Sequence, residues 1–437
     1  MQRSFFVYTY GCQMNAHDSE KIRGLLTGKG YVNADSPEEA DLIIFNTCAI
    51  REKAEQKFFS QLGRTGMLKR KRTELQIAVT GCVAQEAGKR LLGKAPFVDF
   101  VIGPQNIHRL AEVVSSDRRV ETGQDNSDIA LREFSAERES RVKAWISIMY
   151  GCNNFCSYCI VPYTRGREVS RPGSSILAEA GDLTARGYRE ITLLGQNVNS
   201  YRSEMGFVEL LRKIDETGIN RVRFVTSHPR DFSIELIDAV TNLRSVCEHI
   251  HLPIQSGSDR ILELMNRGYT FSDYKRKVDA LRDKIPDATI TTDIIAGFPG
   301  ESEEDHEDTV RALEEIGFDG IFAFKFSPKK GTRANDMKDQ LDETVKSARL
   351  NRILKVQEGI TYRKNKELEG TVQEILIEGL SETDSEMLVG RTRTNKIVTI
   401  NALPGDAGSL MRVRIEKARL HSLSAVPVDL ETFTASR

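Results

Sequence analysis

Residues 151–166 read GCNNFCSYCIVPYTRG and place Cys152, Cys156 and Cys159 in the spacing C-x3-C-x2-C. Isolated core thiols do not cluster within eight residues, so the triplet reads as a ligand set. A structural zinc site asks for four protein ligands, and no fourth Cys or His follows closely. An ordinary ferredoxin-type 4Fe-4S cluster also takes four Cys. Three thiolates therefore fit a cluster with one iron left open to a small molecule. The chain has seven Cys in 437 residues, an odd number in a long chain, which argues against a disulfide framework.

Outward from the triplet, strand-like and helix-like runs alternate. AWISIMY precedes it, and EITLL, VRFVT, HIHLPI, ATITTDII and IFAFKF follow at intervals. The stretches between them, such as ILAEAGDLTARG and FVELLRKIDETG, carry apolar residues at helical spacing. Six strands with crossovers predict a partial barrel of βα units with its chemistry at the C-terminal strand ends. The triplet follows the first strand. The loops LLGQNVNSY, TSHPRDF, PIQSGSDRILELMNRGYT and IIAGFPGE follow later ones. In them Gln196, Asn197, Ser227, Gln255 and Arg267 are candidates for gripping a ligand or substrate. Gly297, Pro299 and Gly300 would let the backbone approach a ligand closely. His228, His249 and His251 read as structural, because nothing pairs them with an orienting carboxylate.

The N-terminal part repeats the pattern. SFFVYTY, LIIFN, LQIAVT and FVDFVI alternate with helical runs, which predicts an open parallel α/β sheet. Cys12, Cys48 and Cys82 each follow one of these strands. Such ends share one sheet edge, so three loops can bring three thiols together as a second open-iron cluster. Cys247, in SVCEHIHLPI, reads as a core thiol. Residues 121–137 are polar and aperiodic and read as a linker. After 370, TVQEILIEGL, EMLVGRT, KIVTI and LMRVRIEKARL suggest a small β-barrel, with a turn at LPGD. Arg391, Arg393 and Lys396 cluster there, and Arg412 and Arg414 share a strand face, a candidate phosphate-binding stripe. The expected division is 1–120, a linker 121–137, a core 138–369 and a tail 370–437.

Composition sets the frame. Lys+Arg is 62 against Asp+Glu 63, so nucleic-acid affinity must come from local patches. No apolar run reaches the roughly 18 residues of a spanning helix. No signal peptide is read in MQRSFFVYTYGC, so a cytoplasmic protein without membrane partners is expected. No GxGxxG or Walker A loop supports a nucleotide-phosphate enzyme.

Together YTYGCQMN, FNTCAIREKAEQK, MYGCNNFCSYCIVPYTRGRE, LLGQNVNSY, TSHPRD, HLPIQSGSDRILELM and GFPGE resemble the methylthiotransferase family of radical S-adenosylmethionine (SAM) enzymes. Within it they resemble the MiaB type, which acts on tRNA; GCQMN separates it from relatives reading more like SLGCPKN or GCKVN. The resemblance spans essentially the whole chain. It implies a three-Cys N-terminal domain, a radical SAM core and an RNA-binding TRAM barrel. It implies a 4Fe-4S cluster on Cys152, Cys156 and Cys159 that cleaves SAM, with the aromatic Tyr158 beside it. It implies an auxiliary 4Fe-4S cluster on Cys12, Cys48 and Cys82 that carries sulfur. The implied reaction transfers CH3–S to C2 of N6-(dimethylallyl)adenosine beside the tRNA anticodon, one SAM giving the methyl group and a second the radical. The alternatives are methylthiolation of a ribosomal protein or of threonylcarbamoyladenosine in tRNA. Implied partners are the tRNA anticodon stem-loop, an electron donor such as a flavodoxin or ferredoxin, and a sulfur or cluster supply system; a monomer is expected.

Overall fold

Strand β3 (Leu42–Thr47) shows why the N-terminal part is a parallel sheet: all six of its residues are buried. Leu42 and Ile44 join one apolar cluster, and Ile43 and Phe45 join another on the opposite face. A strand covered on both faces reads as a continuous apolar run. Helix Gln13–Thr27 covers the first face with Ile22 and Leu26, and helix Glu52–Lys71 covers the second with Phe58 and Leu62. The computed structural model describes residues 2–49, 52–116, 119–132, 136–382, 384–401 and 407–428. In this domain β1 (Ser4–Thr9), β2 (Val32–Asn33), β3, β4 (Gln76–Gly81), β5 (Phe100–Ile102) and β6 (Val120–Glu121) form one sheet. Its order is β2-β1-β3-β4-β5-β6 and every pairing is parallel.

The middle of the chain forms two three-stranded parallel sheets that meet edge to edge. The first contains β7 (Lys143–Ser147), β10 (Glu190–Leu194) and β11 (Arg221–Phe224). The second contains β12 (His249–His251), β13 (Thr289–Ala296) and β14 (Gly320–Lys325). Val222 bridges to Val246 just before β12, so six strands follow one another around an open barrel. Ile146, Ile191, Val222, Ile250 and Ile290 face the outer helices in one core. The short antiparallel pair β8 (Met149–Tyr150) and β9 (Val169–Ser170) brings the two ends of the Cys152 loop together.

The tail is a closed barrel in the order β15-β16-β17-β19-β18, from β15 (Val372–Leu380), β16 (Met387–Thr392), β17 (Ile397–Asn401), β18 (Leu410–Ala418) and β19 (Leu423–Pro427). β19 was not among the strands read from sequence: HSLSAVP is short, polar and ends in Pro, and it is fixed by pairing on both sides. The turn at residues 403–406 lies outside the described residues.

The segment at 121–137 is not the free linker its composition suggests. β6 adds to the sheet edge, and helix Ser127–Leu131 buries Ile129 and Ala130 against Met14, Tyr150 and Leu194. Buried Asn126 donates to the carbonyls of Arg165 (2.7 Å) and Arg167 (2.6 Å). Two apolar residues, Ile129 and Ala130, suffice to anchor it, while Leu131 stays exposed; residues 133–135 of this stretch lie outside the described residues. Next to it, Arg138 ties the first two domains, reaching Glu20 at 3.0 Å and Glu179 at 2.6 Å.

Candidate active site

Two Gly-Cys pairs build the N-terminal thiol set. Gly11 has φ +124°, and a Cβ there would sit 2.3 Å from Cys48 Cβ. Gly81 has φ +89°, and a Cβ would sit 2.3 Å from the Thr47 carbonyl oxygen. Only glycine lets the Cys12 and Cys82 loops lie this close to the end of β3. Asn15 fixes the arrangement: its Nδ2 donates to Asn46 Oδ1 and the Thr47 carbonyl, both at 3.0 Å, and its Oδ1 accepts from Cys12 Sγ at 3.2 Å. The Cys12 thiol is pulled down to about 6, first by its hydrogen bond with Cys48 and further by the charge of Arg165.

The second thiol set sits in the loop after β7 and β8. Cys152 N–H donates to the Gly166 carbonyl, closing the loop at 3.1 Å. Residues Leu264–Asn266 hold its middle: Ser157 donates to the Met265 and Leu264 carbonyls, and Asn266 Nδ2 donates to the Phe155 carbonyl. Burial pushes the Cys152 thiol up to about 11 and Cys159 higher still, each raised further by the neighbouring thiols. These thiols are thus near enough to govern one another's ionisation. Among the described residues, no group of three or more His, Cys, Asp or Glu side chains stands close enough to hold a single metal ion.

Each set has a buried guanidinium beside it. Arg165, in the same loop as Cys152, crosses to the first domain and pairs with Asp18 at 2.9 Å, with Cys12 and Cys82 further raising its pKa. Arg267 donates from Nη1 to Cys156 Sγ at 3.3 Å and to Tyr158 Oη at 3.4 Å. A cluster held by three thiolates is anionic, so this donor set and its cations fit one in each place.

The barrel rim places the other candidates. Asn197 is 2% exposed and donates to Asp231 at 2.7 Å, leaving Oδ1 without a protein partner. Ser227 Oγ and His228 Nε2 are likewise buried without a protein partner. His228 Nδ1 accepts from the Arg230 N–H, which leaves the proton on Nε2, and burial holds this imidazole at about 2, hence neutral. Three orphaned polar atoms on one rim fit a polar ligand such as SAM. Gln196 follows β10 half-buried beside them. Thr226, Gln255, Asn266 and Phe155 have positive φ although none is glycine, so four strained residues mark this rim. Residue type does not signal that strain at Thr226, Gln255 or Phe155.

Two expectations are corrected. A Cβ on Gly297 would meet Lys346 Cγ at 2.5 Å, and its N–H donates to Glu301, which pairs with Arg349. The close approach at Gly297 is therefore to helix Glu343–Lys366 and not to a ligand. Pro299 is buried in the same turn. Three of the five basic tail residues also turn inward. Arg393 pairs with Glu248 at 2.7 Å, Lys396 pairs with Asp319 at 3.1 Å, and Arg391 pairs with Glu378 at 3.1 Å. Glu248 and Asp319 stand just before barrel strands, so Arg393 and Lys396 hold the tail to the core, while the Arg391–Glu378 pair lies within the tail barrel. Arg412 and Arg414 remain exposed on one face of β18.

Comparison with known proteins places the chain. Residues 146–313 match the radical SAM superfamily, 4–103 an uncharacterized protein family, UPF0004, and 366–428 the TRAM domain. The tRNA-2-methylthio-N(6)-dimethylallyladenosine synthase of Thermodesulfovibrio yellowstonii is 51% identical over 425 residues, covering 96% of this chain and 98% of that one. The protein of the same name from Syntrophus aciditrophicus is 49% identical over 432 residues, covering 97% and 94%. Among solved structures, the radical SAM methyltransferase TsrM from Kitasatospora setae aligns with TM-score 0.59 at 16% identity, covering 77% of each chain, a likeness of fold.

Proposed function

The chain belongs to the tRNA-2-methylthio-N(6)-dimethylallyladenosine synthases, a family of radical SAM enzymes, and from that premise we propose that it transfers a methylthio group to C2 of N6-(dimethylallyl)adenosine next to the anticodon in tRNA. Cys152, Cys156 and Cys159 would hold one 4Fe-4S cluster, and Cys12, Cys48 and Cys82 a second. When bound, the first supplies one-electron cleavage of SAM and the second a sulfur to be methylated by another SAM. Breaking an aromatic C–H bond needs such cofactor chemistry, while the protein orients and shields the reactants.

The observation that carries this reading is the segment 152–167. Its first half bears the C-x3-C-x2-C thiols, and its second half sends buried Arg165 to the Cys12 and Cys82 side. Gln105 and Asn126 from the N-terminal side hold the same segment by the carbonyls of Thr164, Arg165 and Arg167. One segment therefore sets the position of both thiol groups, as a reaction using both requires. Asn197, Ser227 and His228 supply unused polar atoms for SAM at the same end of the barrel.

Substrate RNA would meet exposed Arg412 and Arg414 on the tail barrel. An unpaired loop base can be splayed into a cleft without breaking a duplex. The reducing electron would come from a small protein such as a flavodoxin or ferredoxin, and a replacement for the transferred sulfur from a cluster supply system. No helix among the described residues is long and apolar enough to cross a membrane, and we place the enzyme in the cytoplasm as a monomer. The test is anaerobic assembly with iron and sulfide, then incubation with SAM and isopentenylated anticodon-loop RNA. Mass spectrometry should find the methylthio nucleoside. Turnover instead of a ribosomal protein or of threonylcarbamoyladenosine RNA would overturn the substrate assignment.

A further inference from the structure

Among the described residues six arginines are nearly fully buried: Arg165, Arg171, Arg221, Arg223, Arg267 and Arg349. Five have a carboxylate within ion-pair distance, respectively Asp18, Glu179, Glu374, Glu190 and Glu301. Arg267 has none among the described residues. Its Nε donates to Tyr269 Oη at 2.9 Å and its Nη2 to the Pro253 carbonyl at 2.8 Å. Its Nη1 meets Tyr158 Oη and Cys156 Sγ. All of these are neutral except a Cys156 thiolate. Withdrawing a cation from water without a counter-charge costs several kcal/mol, so buried charges are found paired or facing metal centres.

We propose that Arg267 is the charge partner of the cluster held by Cys152, Cys156 and Cys159: it donates an N–H to the Cys156 sulfur and stabilises the reduced cluster. This rests on the proposed cluster assignment. The physics fixes the direction. One electron from a low-potential protein reductant makes the cluster more negative by one unit. A fixed guanidinium beside a ligand sulfur favours that state, because hydrogen bonds and nearby positive charge raise a cluster's reduction potential. At the other thiol set Arg165 is neutralised by Asp18, so the same gain is largely cancelled there. The asymmetry directs the electron to the cluster that cleaves SAM. Arg267 is thus a positioning and potential-setting residue, held by Tyr269, whose hydroxyl also donates to the Ile254 carbonyl at 2.8 Å.

The test uses the full chain with Cys12, Cys48 and Cys82 changed to Ala, assembled with iron and sulfide, so that one cluster is read. Potentiometric titration followed by electron paramagnetic resonance should show a more negative midpoint in Arg267→Gln. The reduced fraction at the parent's midpoint should fall severalfold, and Arg267→Lys, which keeps the charge, should recover most of it. A loaded Arg267→Gln protein with an unmoved midpoint overturns the proposal. Should that variant fail to load, the parent protein labelled with 15N-arginine decides. Electron–nuclear double resonance of its reduced cluster should show a 15N and an exchangeable proton coupling, and their absence overturns the proposal. A parent protein that assembles no cluster on the remaining thiols sinks the underlying assignment instead.

Discussion

Gly11 and Gly81 bring the sharpest consequence of any single residues. At each, a methyl group would have to enter contact space at 2.3 Å while the backbone stays at positive φ. The strain alone is on the order of 1–3 kcal/mol, and the displaced loop would carry Cys12 or Cys82 with it. On the proposed two-cluster assignment, Gly81→Ala is expected to lose roughly half the iron while the cluster on the other thiol set stays. Iron counts and resonance spectra check this. A variant with full iron would show that the loops tolerate separation. The thiols themselves separate the two roles: Cys156→Ala is expected to abolish 5′-deoxyadenosine formation. Cys48→Ala should leave SAM cleavage but stop methylthio product, as chromatography of both products would show. Both proposed triads were read from sequence, one by spacing and one by placement after strands, and the Gly11 and Gly81 loops do approach the end of β3. The strain at Thr226 and Gln255 was not, because neither residue type announces positive φ.

Among the elements, the β16–β17 hairpin decides how the tail relates to the core. Its turn docks at the N-terminal ends of the barrel strands: Arg221 Nη1 donates to the Arg391 carbonyl at 2.7 Å and Arg223 Nη1 to the Arg393 carbonyl at 2.8 Å. Thr289 Oγ1 donates to the Thr394 carbonyl at 2.8 Å. The hairpin thus floors the barrel opposite the cluster end. Arg393→Ala removes the Glu248 pair and two carbonyl contacts, and its partial burial sets the loss at about 1–3 kcal/mol. Urea unfolding should shift by that amount, with the tail loosening first. Reversal of Arg412 and Arg414 to Glu should behave oppositely. Stability stays, tRNA affinity falls, and the salt dependence of binding loses about one phosphate contact per arginine. Equal tRNA binding in that variant would remove β18 from the RNA surface. Charge counting could not tell these two groups apart. The partners of Arg393 and Lys396, Glu248 and Asp319, lie far back in the sequence, and burial is invisible to composition. The alternation of β-rich and helical runs, by contrast, placed all six barrel strands, since each is a short local run that chain order alone reveals.

At the scale of the whole molecule, two of the domain contacts hold a neutral histidine among cations. His17, between the N-terminal sheet and the core, is held well below the usual range by burial, then by Lys21, Arg138 and Arg171. His249, between core and tail, is lowered by burial, then by Arg223, His251, Arg391 and Lys396. A histidine whose pKa is depressed by folding stabilises the fold above its unfolded value near 6.5 and loses that contribution as pH falls below it. Each then gives a slope of about 1.4 kcal/mol per pH unit. Glu20, raised by burial beside His17, works in the opposite sense just above the usual carboxylate range, and so tempers the first site. The expected result is that mild acid separates the three domains before it unfolds any of them, because each added proton places a desolvated charge in a buried contact between domains. Small-angle scattering across pH 7.5 to 5.5 should show expansion without loss of helix. A His17→Gln, His249→Gln protein should flatten that pH dependence, which separates the histidines from acid loss of iron. An identical profile in wild type and double variant would assign the acid response to the clusters alone.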